Sequence, residues 1–331
     1  MKQRIEAWVA HQWYHKSTWI HALAPLSWLY RFWTSAGFIP ASSTTKIPIW
    51  IIGNLTVGGV GKTPLVIEFI KRAQAYKLNV LVVVKPYRVP KLKHSTMLPQ
   101  NADPSQYGDE AVLIQKKTHA DVLCIAKDRR DLYQYMHQYD MVICDDGLQN
   151  KHLERSFNWV VMDQIRAYGN GYLLPHGPLR SSPGRWLKHI DQTMVKVHGD
   201  DHQVPYGFKL VIDGLKHLTT NQMASISDFQ GKKTLLICGI GYPDQFFKQL
   251  AQMGIQGDQV VMKDHHAYSD NDCAAFKDYD AVIMTEKDGV KCKQFGLANV
   301  FVTQTSTKLS DQLAVRCDAL LNEAMKRAIL I

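Results

Sequence analysis

The feature that most constrains this chain is the stretch from Ile47 to Pro64, IPIWIIGNLTVGGVGKTP, where a β-branched apolar run breaks into glycines and ends in Gly-Lys-Thr. A buried strand, a turn whose backbone N–H groups can converge on phosphate oxygens, and a helix N-terminus with its partial positive charge follow one another here. On this reading Thr56, Val57, Gly58, Gly59, Val60, Gly61, Lys62 and Thr63 form a cradle for the phosphates of ATP. Lys62 reaches the β- and γ-phosphates, and the Thr63 hydroxyl helps to hold Mg2+. Pro64 suits the first helical turn, where a missing N–H costs little. The spacing departs from the usual phosphate loop, because its first glycine is replaced by Thr56 and the flexibility moves to Gly58 and Gly59. A Gly-rich surface turn with a solvated lysine is the competing interpretation, and the succession of strand, loop and helix start weighs against it.

Such a loop belongs at the edge of a parallel α/β sheet, and strand signals supply one. Ile47–Ile52, Val80–Val84, Val122–Ile125, Met141–Cys144 and Trp159–Met162 alternate with helical segments at the spacing of βα units. The run from Tyr168 to Pro183 is broken by Gly and Pro into a loop. Thr193–Val197 and Phe208–Ile212 read as two extended connectors. A second alternation then follows in Thr234–Cys238, Gln259–Met262, Ala281–Thr285 and Val300–Thr303, closed by a helix near Ser310–Lys326. With 331 residues the chain has room for two α/β domains, each with its own core. The expected organisation is an aromatic N-terminal segment (1–40), a P-loop domain (41–190), an extended linker (191–230) and a smaller α/β domain (231–331).

The six cysteines have no CxxC or paired spacing, and several sit inside apolar runs, which indicates a reducing compartment without structural zinc or disulfides. A formal charge of +9 fits an anionic partner: nucleic acid, phosphorylated substrate or membrane surface. The basic clusters at 91–93 and 127–130 are short and lack interleaved aromatics. No nucleic-acid-binding signature accompanies them, so nucleic acid is disfavoured. No obligate protein partner is evident from the sequence.

Five of the eight tryptophans, Trp8, Trp13, Trp19, Trp28 and Trp33, fall near the N-terminus, interspersed with His and basic residues. Ser17 to Tyr30 contains no Lys, Arg, Asp or Glu, but it is shorter than the roughly 20 residues a spanning helix needs, and it contains Pro25. Trp and Tyr favour the headgroup level, so Trp8 to Phe38 reads as a helix lying on a membrane surface. The alternatives are a tryptophan-rich helix packed on the protein's own core and a signal peptide, the latter without a good cleavage site before Pro40.

Three further groups carry chemistry. Met141 to Gly147, MVICDDG, is an apolar strand running into Asp145 and Asp146, where a P-loop enzyme places a carboxylate for Mg2+. Gly108-Asp109-Glu110 lies between the second and third strands, where a carboxylate can serve as a base. Asp264-His265-His266 follows a strand of the second unit. A histidine there can tune a carboxylate, and adjacent His side chains pointing apart make a poor zinc site.

Taken together, these residues resemble the tetraacyldisaccharide 4'-kinase family of lipid A biosynthesis. The resemblance rests on the order of GNLTVGGVGKTP (53–64), YGDE (107–110), DDGLQ (145–149), LLPHGPLR (173–180), GIGYPDQF (239–246), DHH (264–266) and TEKD (285–288), which spans nearly the whole chain. It implies a kinase at the cytoplasmic face of the inner membrane, using ATP and Mg2+ to phosphorylate the 4'-hydroxyl of a tetraacylated glucosamine disaccharide 1-phosphate. It also implies that Asp109 and His265 form the dyad activating that hydroxyl, with Lys62, Thr63, Asp145 and Asp146 on the phosphates and Mg2+. Arg180 and Arg129 would neutralise phosphate charge through a bidentate guanidinium.

The chain departs from that pattern in places. Val84-Lys85-Pro86-Tyr87-Arg88 stands where the family usually shows Ser-Arg-Gly-Tyr-Gly, so only Tyr87 carries over as a nucleotide or substrate contact. Ser181 and Asn150 replace a usual acidic residue and a common histidine. A membrane-associated ATPase switch of the MinD/ParA class shares the GGVGKT core, but its extra lysine is absent here, where the slot is Val57.

Overall fold

The computed structural model describes residues 9, 12–14, 18–35, 45–87, 89–150, 153–186, 188–199 and 204–329. Trp8, Arg88 and the boundary at 40/41 lie outside them.

The strand that leads into the glycine loop, β1 (Ile49–Gly53), is buried along its whole length. It pairs in parallel with β5 (Met141–Asp145) on one side and β6 (Phe157–Asp163) on the other. β2 (Val80–Val84) and β4 (Asp121–Cys124) extend this parallel sheet, and the short β3 (Thr96–Met97) closes its edge. Both faces are covered, which is why these strands read as continuous apolar runs. Trp50 and Ile52 enter one core with Phe69 and Trp159, while Ile49 and Ile51 enter the opposite core with Leu81 and Val142.

The span expected to be a linker is part of the sheet. β7 (Gln192–Lys196) pairs in parallel with β6 and with the start of β8 (Gly207–His217). β8 then runs antiparallel to β13 (Val300–Leu309), from Phe208 opposite Leu309 to His217 opposite Phe301. The chain is extended there, as expected, and its backbone groups find partners in neighbouring strands rather than in water. β9 (Met223–Ala224) pairs with β8. The second lobe is a parallel set of β10 (Thr234–Cys238), β11 (Asp258–Val261) and β12 (Ala281–Met284), joined to β13.

This register sets where the site lies. β7 contacts only the first two residues of β8, and β12 contacts only Val300 to Val302 of β13, so the lobes hang from opposite ends of the β8–β13 ribbon. First-lobe strands run parallel to β8 and second-lobe strands run parallel to β13, so the carboxyl ends of the two sets face each other. Ligands of open α/β sheets bind outside the carboxyl ends of strands, and here two such edges border one cleft.

The longer helices among the described residues are α1 (Ala24–Ser35), which lies on the 173–180 loop, and five that pack in the two lobes: α2 (Lys62–Ala75), α3 (Asp109–Thr118), α4 (Pro243–Gln252), α5 (Glu286–Cys292) and α6 (Asp311–Ile329). α6 was expected to close the second lobe. It returns to the first: Leu313, Cys317, Leu321 and Ala324, spaced along one helical face, join the core of Trp50 and Phe69. Arg72 of α2 meets Asp318 of α6 at 3.0 Å. All six cysteines are buried and free.

Candidate active site

The glycine loop connects β1 to α2 in the expected geometry. Gly58 and Gly61 have φ of +100° and +85°, values that L side chains rarely adopt, so the flexibility moved out of position 56 is used here. Thr56 is instead tied down by a bridge to Leu179, and the Val57 N–H donates to the Pro178 carbonyl at 2.8 Å. Val60 is buried in the first-lobe core. Arg166 donates to the Gly59 carbonyl and holds the outer edge of the loop. Lys62 Nζ donates to Asn54 Oδ1 at 2.9 Å. Thr63 Oγ1 donates to Asp145 Oδ2 at 3.1 Å, joining the loop to the end of β5.

The two adjacent carboxylates are held in different states. Burial lifts the Asp145 carboxyl to about 7, with nearby Glu110 adding to the rise and Lys62 opposing it. Asp146 is also pushed up by burial, but Lys62 and Arg180 outweigh it and hold the group at about 2. Asp146 sits at φ +57°, a left-handed conformation that turns its side chain out of the strand direction. Arg180 Nη1 donates to its Oδ2 at 2.8 Å, and Oδ1 is buried without a partner among the described residues. Arg129 is 7 % exposed and lies beside Gly147, with Nη1 also buried and without a partner among the described residues. A carboxylate oxygen and a guanidinium nitrogen left open beside the loop suit a cation and a phosphate, respectively.

Across the cleft, Asp109 opens α3 after Gly108, whose φ is +87°. His265, at φ +60°, lies on the turn after β11. Its Nδ1 is 3.1 Å from both Asp109 oxygens. Asp109 is 5 % exposed, and burial alone would raise its pKa. Its hydrogen bond to His265 and the charges of Lys287, His265 and Lys291 overcome that and lower it. Lys287 Nζ lies 3.2 Å from His265 Nε2 and 3.2 Å from Asp264 Oδ1. Burial would discharge that lysine, but Glu110, Asp109 and Asp264 keep its pKa above the ordinary value. The Tyr87 ring stands 5.4 Å from the His265 ring and is exposed. His266 points elsewhere, to Asp272 at 3.1 Å, because the chain turns at His265 rather than running extended as expected.

The structure thus brings together two sets of expected residues. Lys62, Thr63, Asp145, Asp146, Arg180 and Arg129 surround the loop, while Asp109, His265 and Tyr87 gather at the facing edge. One cavity is lined by Lys62 and Thr63 as well as by Glu110, Asp264 and Lys287, which links the two edges. Sequence reasoning gave no role to Lys287 or Lys291, although TEKD was one of the ordered motifs. Their strand-end position after β12 was the available signal. Arg166 and Lys196 were missed, since no motif contains them. Among the described residues no group of three or more His, Cys, Asp or Glu side chains is arranged to hold a metal.

The N-terminal segment abuts this edge. Ser27 of α1 donates to the Leu173 carbonyl at 2.6 Å, and the Tyr30 hydroxyl donates to the carbonyl of Arg180. Trp13 Nε1 donates to the Pro175 carbonyl, so one side of the segment is pinned to the LLPHGPLR loop. On the other side Leu26, Trp28, Leu29 and Phe32 are exposed, Trp28 by 77 % and Phe32 by 80 %. No described helix is long and apolar enough to cross a membrane.

Comparison with known proteins shows the family and the fold. A curated tetraacyldisaccharide 4'-kinase from Hahella chejuensis is 36 % identical over 332 aligned residues, covering 96 % of this chain and 97 % of the relative. One from Pasteurella multocida is 38 % identical, covering 87 % of this chain and 91 % of the relative. The crystal structure of LpxK from Aquifex aeolicus in complex with ATP superimposes with a TM-score of 0.71 over 93 % of this chain and all of that one. At 22 % identity it speaks for the fold. The profile of the tetraacyldisaccharide-1-P 4'-kinase family matches residues 19–325, and the chain belongs to that family.

Proposed function

We propose that this protein transfers the γ-phosphoryl group of ATP to the 4'-hydroxyl of a tetraacylated glucosamine disaccharide 1-phosphate. The observation that carries the proposal is the facing of a phosphate loop and a buried Asp–His pair across one cleft, in a chain of this family. Loop N–H groups and Lys62 hold the ATP phosphates, and Arg180 and Arg129 offset their charge. Thr63, Asp145 and Asp146 would hold Mg2+, which would supply positive charge to the reacting phosphates. Asp109 is the base: its lowered pKa keeps it ionised at neutral pH, free to take the hydroxyl proton. As the sugar oxygen bonds to the γ-phosphorus, the bond to the β-γ bridging oxygen breaks and ADP leaves. His265 fixes the Asp109 carboxylate, and Lys287 keeps His265 in place.

The exposed apolar face of α1, next to the site, fits a lipid surface. On this reading the enzyme is a peripheral or monotopic protein of the cytoplasmic face of the inner membrane, and its lipid enters beside α1. The test is incubation with Mg-ATP and the tetraacylated disaccharide 1-phosphate in detergent micelles, with K62A as control. A bisphosphorylated lipid that disappears in K62A is expected. ATP hydrolysis without lipid product from the folded wild-type protein would reject the kinase in favour of an ATPase switch.

A further inference from the structure

Lys196, the last residue of β7, is 5 % exposed, yet among the described residues its ammonium makes no hydrogen bond or ion pair. Its methylene stem lies along the glycine loop: a Cβ on Gly61 would stand 3.3 Å from Lys196 Cδ and 3.8 Å from Cε. Asp163, the neighbouring carboxylate, is already engaged by His198 Nε2 at 2.9 Å and by the N–H groups of Ile165 and Arg166. The nearest aromatic, Tyr242, has its centroid 5.9 Å from the ammonium. Burial, with Arg166 adding repulsion and Asp163 opposing it, pulls the Lys196 pKa down to about 8.

An ammonium at the end of a mostly buried stem, lining a cavity and without a protein acceptor among the described residues, is placed to be completed by a ligand. Lys196 lines the cavity bounded by Gly59 to Thr63, part of whose wall is apolar: Leu210, Ile212, Ile240 and Phe246. A ligand filling that space presents anionic oxygens to the loop and a flat apolar body to the wall, which is the chemistry of a nucleoside di- or triphosphate.

We propose that Lys196 is a nucleotide-binding residue, donating to a phosphate oxygen of the nucleotide as a second ammonium beside Lys62. The inference rests on the kinase reading for its ligand but is tested apart from it. The loop glycine at 61 then has two uses: its positive φ shapes the phosphate cradle, and its missing side chain lets the lysine stem pass.

The experiment uses the full chain as wild type, K196M and K196R. Mg-ADP affinity is measured by calorimetry, and thermal melts are run without nucleotide. K196M is expected to bind Mg-ADP at least about tenfold more weakly and to melt at the same or a higher temperature, because an unpaired buried charge is gone. K196R, keeping the charge, should recover most of the affinity. K196Q carries the same expectation if K196M does not yield folded protein. Wild-type affinity in folded K196M or K196Q overturns the inference. So does a lower melting temperature with unchanged affinity, the mark of a purely structural partner for Asp163. Wild-type protein that binds Mg-ADP through Lys196 yet phosphorylates no lipid would reject the kinase reading and leave the inference standing.

Discussion

His265 Nδ1 lies 3.1 Å from both carboxylate oxygens of Asp109, a residue 156 positions away and in the other lobe. The contact exists because β8 and β13 are long enough to carry the lobes at opposite ends, with strand termini facing. Any change in how that ribbon is set alters the pair, so the base is complete only when the lobes are held as they are here.

Lys287 bears on this pair through charge. It is among the groups that lower the Asp109 pKa, after the His265 hydrogen bond, and it contacts His265 directly. K287M removes that charge, so the Asp109 pKa should rise. The acid limb of the pH profile of kcat/KM should move to higher pH, with a loss of about tenfold to a hundredfold at neutral pH. An acid limb that stays where it is in K287M would show that Asp109 does not depend on this lysine.

The apolar face of α1 yields a prediction about membranes. Trp28 and Phe32 are among the most exposed large apolar side chains of the described residues. W28E/F32E should therefore leave the melting temperature within about 1–2 °C of wild type, since surface changes are usually worth under ~0.5 kcal/mol. Flotation with liposomes should fall severalfold at both low and high salt, because an apolar contact resists screening. Undiminished flotation of the double variant would assign the attachment to another surface.

Asp163 supplies the stability test. Burial raises its pKa, but His198 and the Arg166 N–H more than compensate and hold it at about 2, against an ordinary 3.8. The folded value lies below the unfolded one. The group's stabilisation is therefore complete above about pH 4 and is lost as pH falls through about 2. D163N should unfold more easily than wild type at neutral pH, by about 1–3 kcal/mol for a buried hydrogen-bonded charge. The gap between the two should narrow between pH 4 and pH 2 in urea unfolding. A gap that does not change with pH would mean the carboxylate's charge is not what stabilises this corner.

Much of this was legible in the sequence where local pattern and chemistry coincide. Val80–Val84 and Thr234–Cys238 were placed to the residue, because fully buried parallel strands announce themselves as apolar runs between turns. The pairing of β7 with β8 and the return of α6 to the first lobe were not legible. Both depend on contacts between segments far apart in the chain, and an extended stretch such as Phe208–Ile212 looks the same in a linker as in a sheet. Asp109 and His265 were singled out by their places along the chain, their pairing came from family resemblance, and their distance could come only from the fold. Lys196 had no signal, since a lysine ending a strand is ordinary until its burial and missing partners are seen.

The most direct measurement is transfer of labelled γ-phosphate from Mg-ATP to the tetraacylated disaccharide 1-phosphate by wild type, D109N and H265A, with Mg-ATP affinity determined on the same preparations. The account predicts that wild type makes the bisphosphorylated lipid, and that both variants bind Mg-ATP within about threefold of wild type but transfer phosphate about 10²–10⁴-fold more slowly. Transfer near the wild-type rate in either variant, with folding and nucleotide binding intact, would contradict the role given to the pair.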